Sequence, residues 1–234
     1  MKPPFEITTT LGRRDAHITA VIHGPSGAGK TYLSRTTGQT ESTLILSVEN
    51  GLLSLRDVEI AAVELGGWEE LRQMFGWLLQ QKPQPYTWVI VDSISELAES
   101  LLNGLKEQSR DPRQAYGEMQ DSVVRFVRAV RSLPCNVVLL AKQERLQDDQ
   151  GRMLYAPSFP GKRLSQAIPY LVDEVLALIP NQDEETGQMK PYLQCHPDSS
   201  YTAKDRSGRL ALHEPANLAA IYRKINGGKT DVQS

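Results

Sequence analysis

Gly24-Pro25-Ser26-Gly27-Ala28-Gly29-Lys30-Thr31 carries the spacing G-x-x-x-x-G-K-[ST], in which each fixed position has a chemical task. Gly24 and Gly29 remove the Cβ where the backbone must turn or approach closely, so that successive N–H groups converge on phosphate oxygens. Lys30 brings a point charge to the β and γ phosphates of a nucleotide, and the Thr31 hydroxyl is a ligand for Mg²⁺. The stretch reads as a cradle for the phosphates of MgATP. The helix expected after it, Thr31 to Thr37 closed by Gly38, would aim its N-terminal dipole at the same anion.

A second acid completes the metal chemistry. Trp88-Val89-Ile90-Val91-Asp92-Ser93 is an apolar strand ending in a carboxylate, and Asp92 is placed to hold Mg²⁺ through bound water. An Asp there also reads as the N-cap of a helix beginning near Ser93, but the phosphate loop upstream favours the metal role. No Glu follows Asp92, so the adjacent Asp-Glu pair of AAA+ enzymes is absent and the water-activating acid must come from elsewhere. Glu49, at the end of the strand after the phosphate loop, is the favoured candidate; Glu96, one helical turn beyond Asp92, is its rival.

Such residues meet only if several strands end together. His17–His23, Thr43–Val48, Tyr86–Val91, Asn136–Ala141 and Val172–Ile179 are continuous apolar runs, and Val58–Leu65 is a further candidate strand. Helical spacing fills 68–81, 93–107 and a long segment from Asp111 and Pro112, an N-cap and first-turn pair, to Leu133. Buried Val, Ile and Leu runs alternating with helices imply an α/β fold: a mostly parallel sheet flanked by helices. Turn signals at 148–151 and 180–190 predict antiparallel strands toward the C-terminus. A lead-in strand is expected around Phe5–Thr9. One domain is expected over residues 1–225, with a flexible tail at 226–234.

Leu44-Ile45-Leu46-Ser47-Val48-Glu49-Asn50-Gly51 and Val89-Ile90-Val91-Asp92-Ser93 resemble the RecA-type P-loop ATPases. The resemblance implies that Glu49 is the general base, and that Gln143, after the strand Asn136–Ala141, is a polar sensor of the γ-phosphate. Ala203-Lys204-Asp205-Arg206-Ser207-Gly208 is similar to the K-x-R element of the hexameric RecA relatives, typified by DnaB helicases and KaiC. It implies that Lys204 and Arg206 reach the phosphate bound by a neighbouring subunit, which requires a homo-oligomer, ring or filament. Taken without that resemblance, Lys-Asp-Arg before Gly is an ordinary charged turn.

Single-stranded DNA is the implied partner, met by the loop after the strand Asn136–Ala141. Arg145, Arg152, Lys162 and Arg163 are interleaved with Tyr155 and Phe159, which combines phosphate-binding cations with rings on which bases can stack. The plainer reading is a solvated hairpin with its aromatics tucked beneath. Segments from Pro160 to Val175, with Ala203 to Arg206, resemble the phage-encoded RecA-like nucleotide-binding proteins, including the Sak-type single-strand annealing ATPases. That implies a weak, DNA-stimulated ATPase of a phage or prophage acting in the bacterial cytoplasm, with a single-strand-binding protein as a further partner. The alternatives are a non-catalytic ATP-dependent assembly switch and, with less support, a P-loop kinase of small molecules, for which no Arg-rich lid is visible.

Composition bounds these readings. With 234 residues the chain can bury a substantial core, and a net charge of -2 excludes a wholesale basic footprint, so any DNA contact must come from local patches. Cys135 and Cys195 stand far apart in no metal-binding spacing, as expected of two reduced thiols. No apolar run is long enough to predict a membrane span.

Overall fold

The computed structural model describes residues 17–48, 51–109, 111–147, 151–184 and 186–227. The strand expected at Phe5–Thr9, Glu49, the hairpin tip at 148–150 and the tail from 228 onward lie outside the described residues.

In chain order the strands are β1 (Thr19–His23), β2 (Thr43–Ser47), β3 (Ala61–Glu64), β4 (Trp88–Asp92), β5 (Asn136–Ala141), β6 (Gln143–Gln147), β7 (Met153–Pro157), β8 (Glu174–Ile179), β9 (Tyr192–Gln194), β10 (Lys204–Asp205) and β11 (His213–Pro215). The α-helices are α1 (Trp68–Gln80), α2 (Ile94–Gln108), α3 (Pro112–Val130), α4 (Lys162–Leu171) and α5 (Leu218–Ile225). All but β6 and β7 join one sheet, ordered β11-β9-β8-β1-β5-β4-β2-β3, with β10 added on β8. From β3 across to β8 the pairing is parallel, and β9, β10 and β11 are antiparallel additions. The architecture is the expected one, and β6 and β7 form the expected hairpin.

Parallel strands covered on both faces must be apolar on both, which is why β1, β2, β4 and β5 are buried throughout. One face holds Val21, Leu46, Val91 and Leu139 against α1, α2, α3 and α4, whose apolar stripes supply Leu71, Leu97, Met119 and Leu164. The other face holds Ile22, Ile45, Ile90 and Leu140 against Leu33 and α5. Asp111 caps α3 by accepting the Arg113 N–H at 2.9 Å, with Pro112 in the first turn, as its sequence requires. Both cysteines are buried in these layers, and burial pushes each thiol up to about 12, which leaves them unreactive.

The helix expected after the phosphate loop forms over Tyr32–Thr37, as a 3₁₀ helix, and two other expectations are corrected. Thr36 Oγ1 donates to the Leu33 carbonyl at 2.7 Å, taking an acceptor that a longer helix would use, and Gly38, at φ 69°, ends it. Phe159 is not available to bases: it is 4% exposed and belongs to the core. Lys162 and Arg163 sit on no loop but open α4, which buries Leu164 and Ile168 despite Pro169 within it.

Candidate nucleotide site

β1 runs straight into the loop Gly24–Thr31, whose two fixed glycines do different work. A Cβ on Gly24 would lie 2.8 Å from the Leu178 carbonyl oxygen on the neighbouring strand, so only glycine lets the loop leave the sheet this closely. Gly29 has φ +92°, a conformation that L side chains rarely adopt. Gly24→Ala is expected to destabilise the fold by about 1–3 kcal/mol through this clash, read as a lower urea midpoint at unchanged slope. An unchanged midpoint would contradict the packing described.

The loop places Lys30 and Thr31 differently. Lys30 Nζ donates to the carbonyls of Gly24 and Pro25 at 2.8 and 2.9 Å, so the ammonium lies over the loop it serves. Thr31 Oγ1 donates to Asp92 Oδ2 at 2.5 Å, across 61 residues of sequence. The register Ser47↔Asp92 puts the side chains of Ser47 and Asp92 on one face of adjacent strands. Ser47 Oγ is buried without a hydrogen-bond partner among the described residues.

This set suits Mg²⁺. Every donor is an oxygen, as a hard cation requires, and the orphaned Ser47 hydroxyl beside Asp92 can hydrogen-bond a water of the ion's shell. Thr31 would be the direct ligand and Asp92 the carboxylate behind it. Sequence reasoning missed Ser47; the only available signal was its place two residues before Glu49 on the same strand end. Val48, the residue between, donates its N–H to the Asp92 carbonyl at 2.9 Å.

Asp92 and the phosphate loop are not on neighbouring strands. β5 lies between β1 and β4, so Gln143 emerges beside both. Its side-chain Oε1 lies 3.2 Å from His23 Nδ1. The rival base Glu96 is engaged elsewhere: Lys142 Nζ donates to Glu96 at 2.5 Å and to Glu99 at 3.0 Å. Partial burial of Lys142 would lower its pKa, but the two carboxylates override it and hold the pKa above the ordinary value.

Lys204 and Arg206 are not near the loop of their own chain. β10 pairs with the start of β8, Lys204↔Val175 and Asp205↔Glu174, and those residues pair in turn with Val21 and Ala20. Arg206 thus lies level with Thr19, at the amino end of β1, whereas Gly24 follows its carboxyl end. Five strand residues separate the two levels, or roughly 16 Å. Lys204 Nζ donates to Pro169 O and Val172 O at 2.8 and 2.7 Å, at the end of α4, and burial with the nearby Arg206 charge lowers its pKa. Arg206 Nη1 donates to Asp173 Oδ1 at 2.6 Å.

Beneath this segment two carboxyl groups meet. Asp205 is held below the ordinary carboxylate range, against its burial, by hydrogen bonds from Ser207, Leu210 and Gly208. Burial and the Asp205 charge push Glu174 up to about 8, so it is protonated at neutral pH. A carboxyl raised in the folded state stabilises below its unfolded pKa, and that contribution is lost as pH rises through the folded one. The melting temperature is therefore expected to fall between pH about 4.5 and about 8 in part through Glu174, and Glu174→Gln should flatten that decline. An identical slope in the variant would contradict the assignment.

The proposed DNA-facing residues form a less compact group. Arg145, Arg152, Lys162 and Arg163 are all exposed, with Arg145 5.4 Å over the Tyr155 ring. Tyr155 is itself half-buried and stacked on Tyr201, centroids 5.1 Å apart. Tyr170, at the end of α4 and 81% exposed, is a ring that sequence reasoning passed over.

A strand-loop-helix phosphate cradle, with an acid from a nonadjacent strand at its Thr, defines a P-loop nucleotide-binding domain. The sequence profile of a family described as AAA domain matches residues 16–207, and the chain belongs to that family. No curated protein sequence matches it. Among solved structures it is similar to a KaiC-like protein from the hyperthermophilic archaeon Pyrococcus horikoshii OT3, at 15% identity over 75% of this chain and 76% of that one, with a TM-score of 0.44. It is also similar to the RadB recombinase, at 15% identity over 77% and 81% of the two chains, with a TM-score of 0.48. No helix among the described residues is long and apolar enough to cross a membrane.

Proposed function

We propose that this chain is a RecA-type ATPase that binds and hydrolyses MgATP, assembles as a homo-oligomer on single-stranded DNA and promotes annealing or recombination in a phage or prophage. The observation that carries the reading is the Thr31–Asp92 contact at the phosphate loop, with Gln143 just past the end of β5, the strand that lies between β1 and β4. Lys30 and the loop N–H groups would hold the phosphates, and Thr31 with Asp92 would hold Mg²⁺, which would supply positive charge against that of the transferring phosphoryl group. Glu49 orients the attacking water and Gln143 contacts the γ-phosphate. Lys204 and Arg206 act on the phosphate of a neighbouring subunit, since their level in the sheet keeps them from their own.

Arg145, Arg152, Lys162 and Arg163 supply phosphate contacts along a single strand. Tyr155 adds a partly covered stacking surface, and a single-strand-binding protein remains a partner suited to this role. Gel filtration with and without MgATP and a single-stranded oligonucleotide, alongside phosphate release, tests the reading. Larger assemblies and hydrolysis stimulated by the oligonucleotide are expected, with affinity falling steeply as salt rises. A monomer under every condition, with no DNA binding at low salt, would refute the DNA role. Assembly with MgATP but no hydrolysis would instead favour the non-catalytic switch, a reading supported by the intrachain bonds that now hold Lys204 and Arg206.

A further inference from the structure

His23 ends β1 immediately before Gly24 and is completely buried. Its Nε2 is 2.9 Å from the Thr202 carbonyl oxygen and its Nδ1 is 3.2 Å from Gln143 Oε1. Burial, reinforced by the charge of Lys30, brings its pKa down to about 4, so the ring is neutral at physiological pH and carries a single N–H. Thr202 offers a backbone carbonyl, which only accepts and cannot turn, and that places the N–H on Nε2. Nδ1 is then a lone pair in need of a donor. Only the NH₂ end of the Gln143 amide can provide one, so the amide must turn from the orientation that sets Oε1 against Nδ1, a rotation that simply exchanges its two ends.

We propose that His23, as the Nε2–H tautomer, is a positioning residue that turns the NH₂ of Gln143 toward its ring and ties that amide to the Thr202 backbone. One N–H of Gln143 is thereby held by His23, and the other remains to donate to a phosphate oxygen. The tie extends further. Thr202 donates its N–H to Tyr155 O at 2.8 Å, and Tyr155 donates to Ser200 O at 2.6 Å, so β7 moves with the segment that leads into Lys204. Gln143 itself begins β6, the partner of β7. A single imidazole joins the γ-phosphate contact, the hairpin bearing Arg145 and the strand bearing Lys204. The linkage rests on the proposed contact of Gln143 with the γ-phosphate.

The test has two arms. Long-range ¹⁵N spectra of the histidine-labelled full chain read the tautomer without any nucleotide. A neutral ring protonated at Nε2 is expected, and an Nδ1–H or charged ring at neutral pH overturns the proposal. The second arm compares wild type with His23→Gln, which still reaches Thr202, His23→Asn, which still reaches Gln143, Gln143→Ala, and the double variant His23→Gln/Gln143→Ala. Affinities for ADP and for a non-hydrolysable ATP analogue are measured for each. In His23→Gln and in Gln143→Ala the preference for the triphosphate should fall about fivefold to tenfold, the worth of one hydrogen bond, with ADP affinity unchanged. The double variant should lose no more than either single one. His23→Asn should retain most of the preference while losing DNA stimulation of hydrolysis.

Equal losses of ADP and triphosphate affinity, or losses that add in the double variant, would show a structural role only and overturn the proposal. If wild type binds neither nucleotide, the preceding functional reading fails, while the spectra still decide the His23–Gln143 bond.

Discussion

Lys30→Ala protein is expected to fold normally, to bind MgATP weakly and to lose roughly 10²–10³ in hydrolysis rate, the cost of deleting a principal charge that stabilises a transferring phosphoryl group. The fold should survive because the half-buried Lys30 meets the carbonyls Gly24 O and Pro25 O, which belong to its own short turn. The apolar layers beneath do not include it. The loss should fall on nucleotide chemistry, because the ammonium already lies over the loop and need move only a short way to meet a phosphate. Calorimetric titration with ATP, phosphate release and circular dichroism separate these effects. Wild-type turnover in the variant would remove the phosphate loop from the mechanism.

Arg206→Ala is expected to leave nucleotide affinity intact and to reduce turnover by about 10³-fold or more, in the range of an arginine finger. Arg206 is bound to Asp173, whose other oxygen accepts the Thr19 N–H at the start of β1, far from the loop at the other end of that strand. It cannot assist its own site. Release from Asp173 is favoured by a second cation: Arg131 stands 3.6 Å from the same Asp173 oxygen, so that carboxylate keeps a partner when Arg206 departs. Lys204 is held more firmly by two carbonyls in a partly buried setting, and its replacement should cost stability as well as rate. Rates under saturating MgATP, compared with melting temperatures, distinguish the two residues.

The parts of the site legible in the sequence were those fixed by backbone chemistry over short spans. The loop spacing, the apolar strand ending in Asp92 and the strand Asn136–Ala141 leading to Gln143 each follow from local pattern. Residues whose role depends on distant neighbours were not legible. His23 reads as a strand residue until Gln143, 120 residues away, and Thr202, 179 away, are seen beside it. Ser47 reads as any strand-end hydroxyl until the register sets it next to Asp92. Phe159 shows the opposite failure, since a ring among cations has the same sequence signature whether it faces solvent or fills the core. Helix α4 was obscured by Pro160, Gly161 and Pro169, which signal a loop, although Leu164 and Ile168 carry the spacing that buries it.

The proposed active site is shared between subunits, and mixing two inactive proteins tests it most directly. Lys30→Ala supplies an intact finger and Arg206→Ala an intact phosphate loop, so a heterologous contact between them forms one complete site. Random assembly of an equal mixture should restore hydrolysis to about a quarter of the wild-type rate, because one contact in four pairs a working loop with a working finger. A mixture no more active than the sum of its parts, in assemblies shown to exchange subunits, would contradict the shared site.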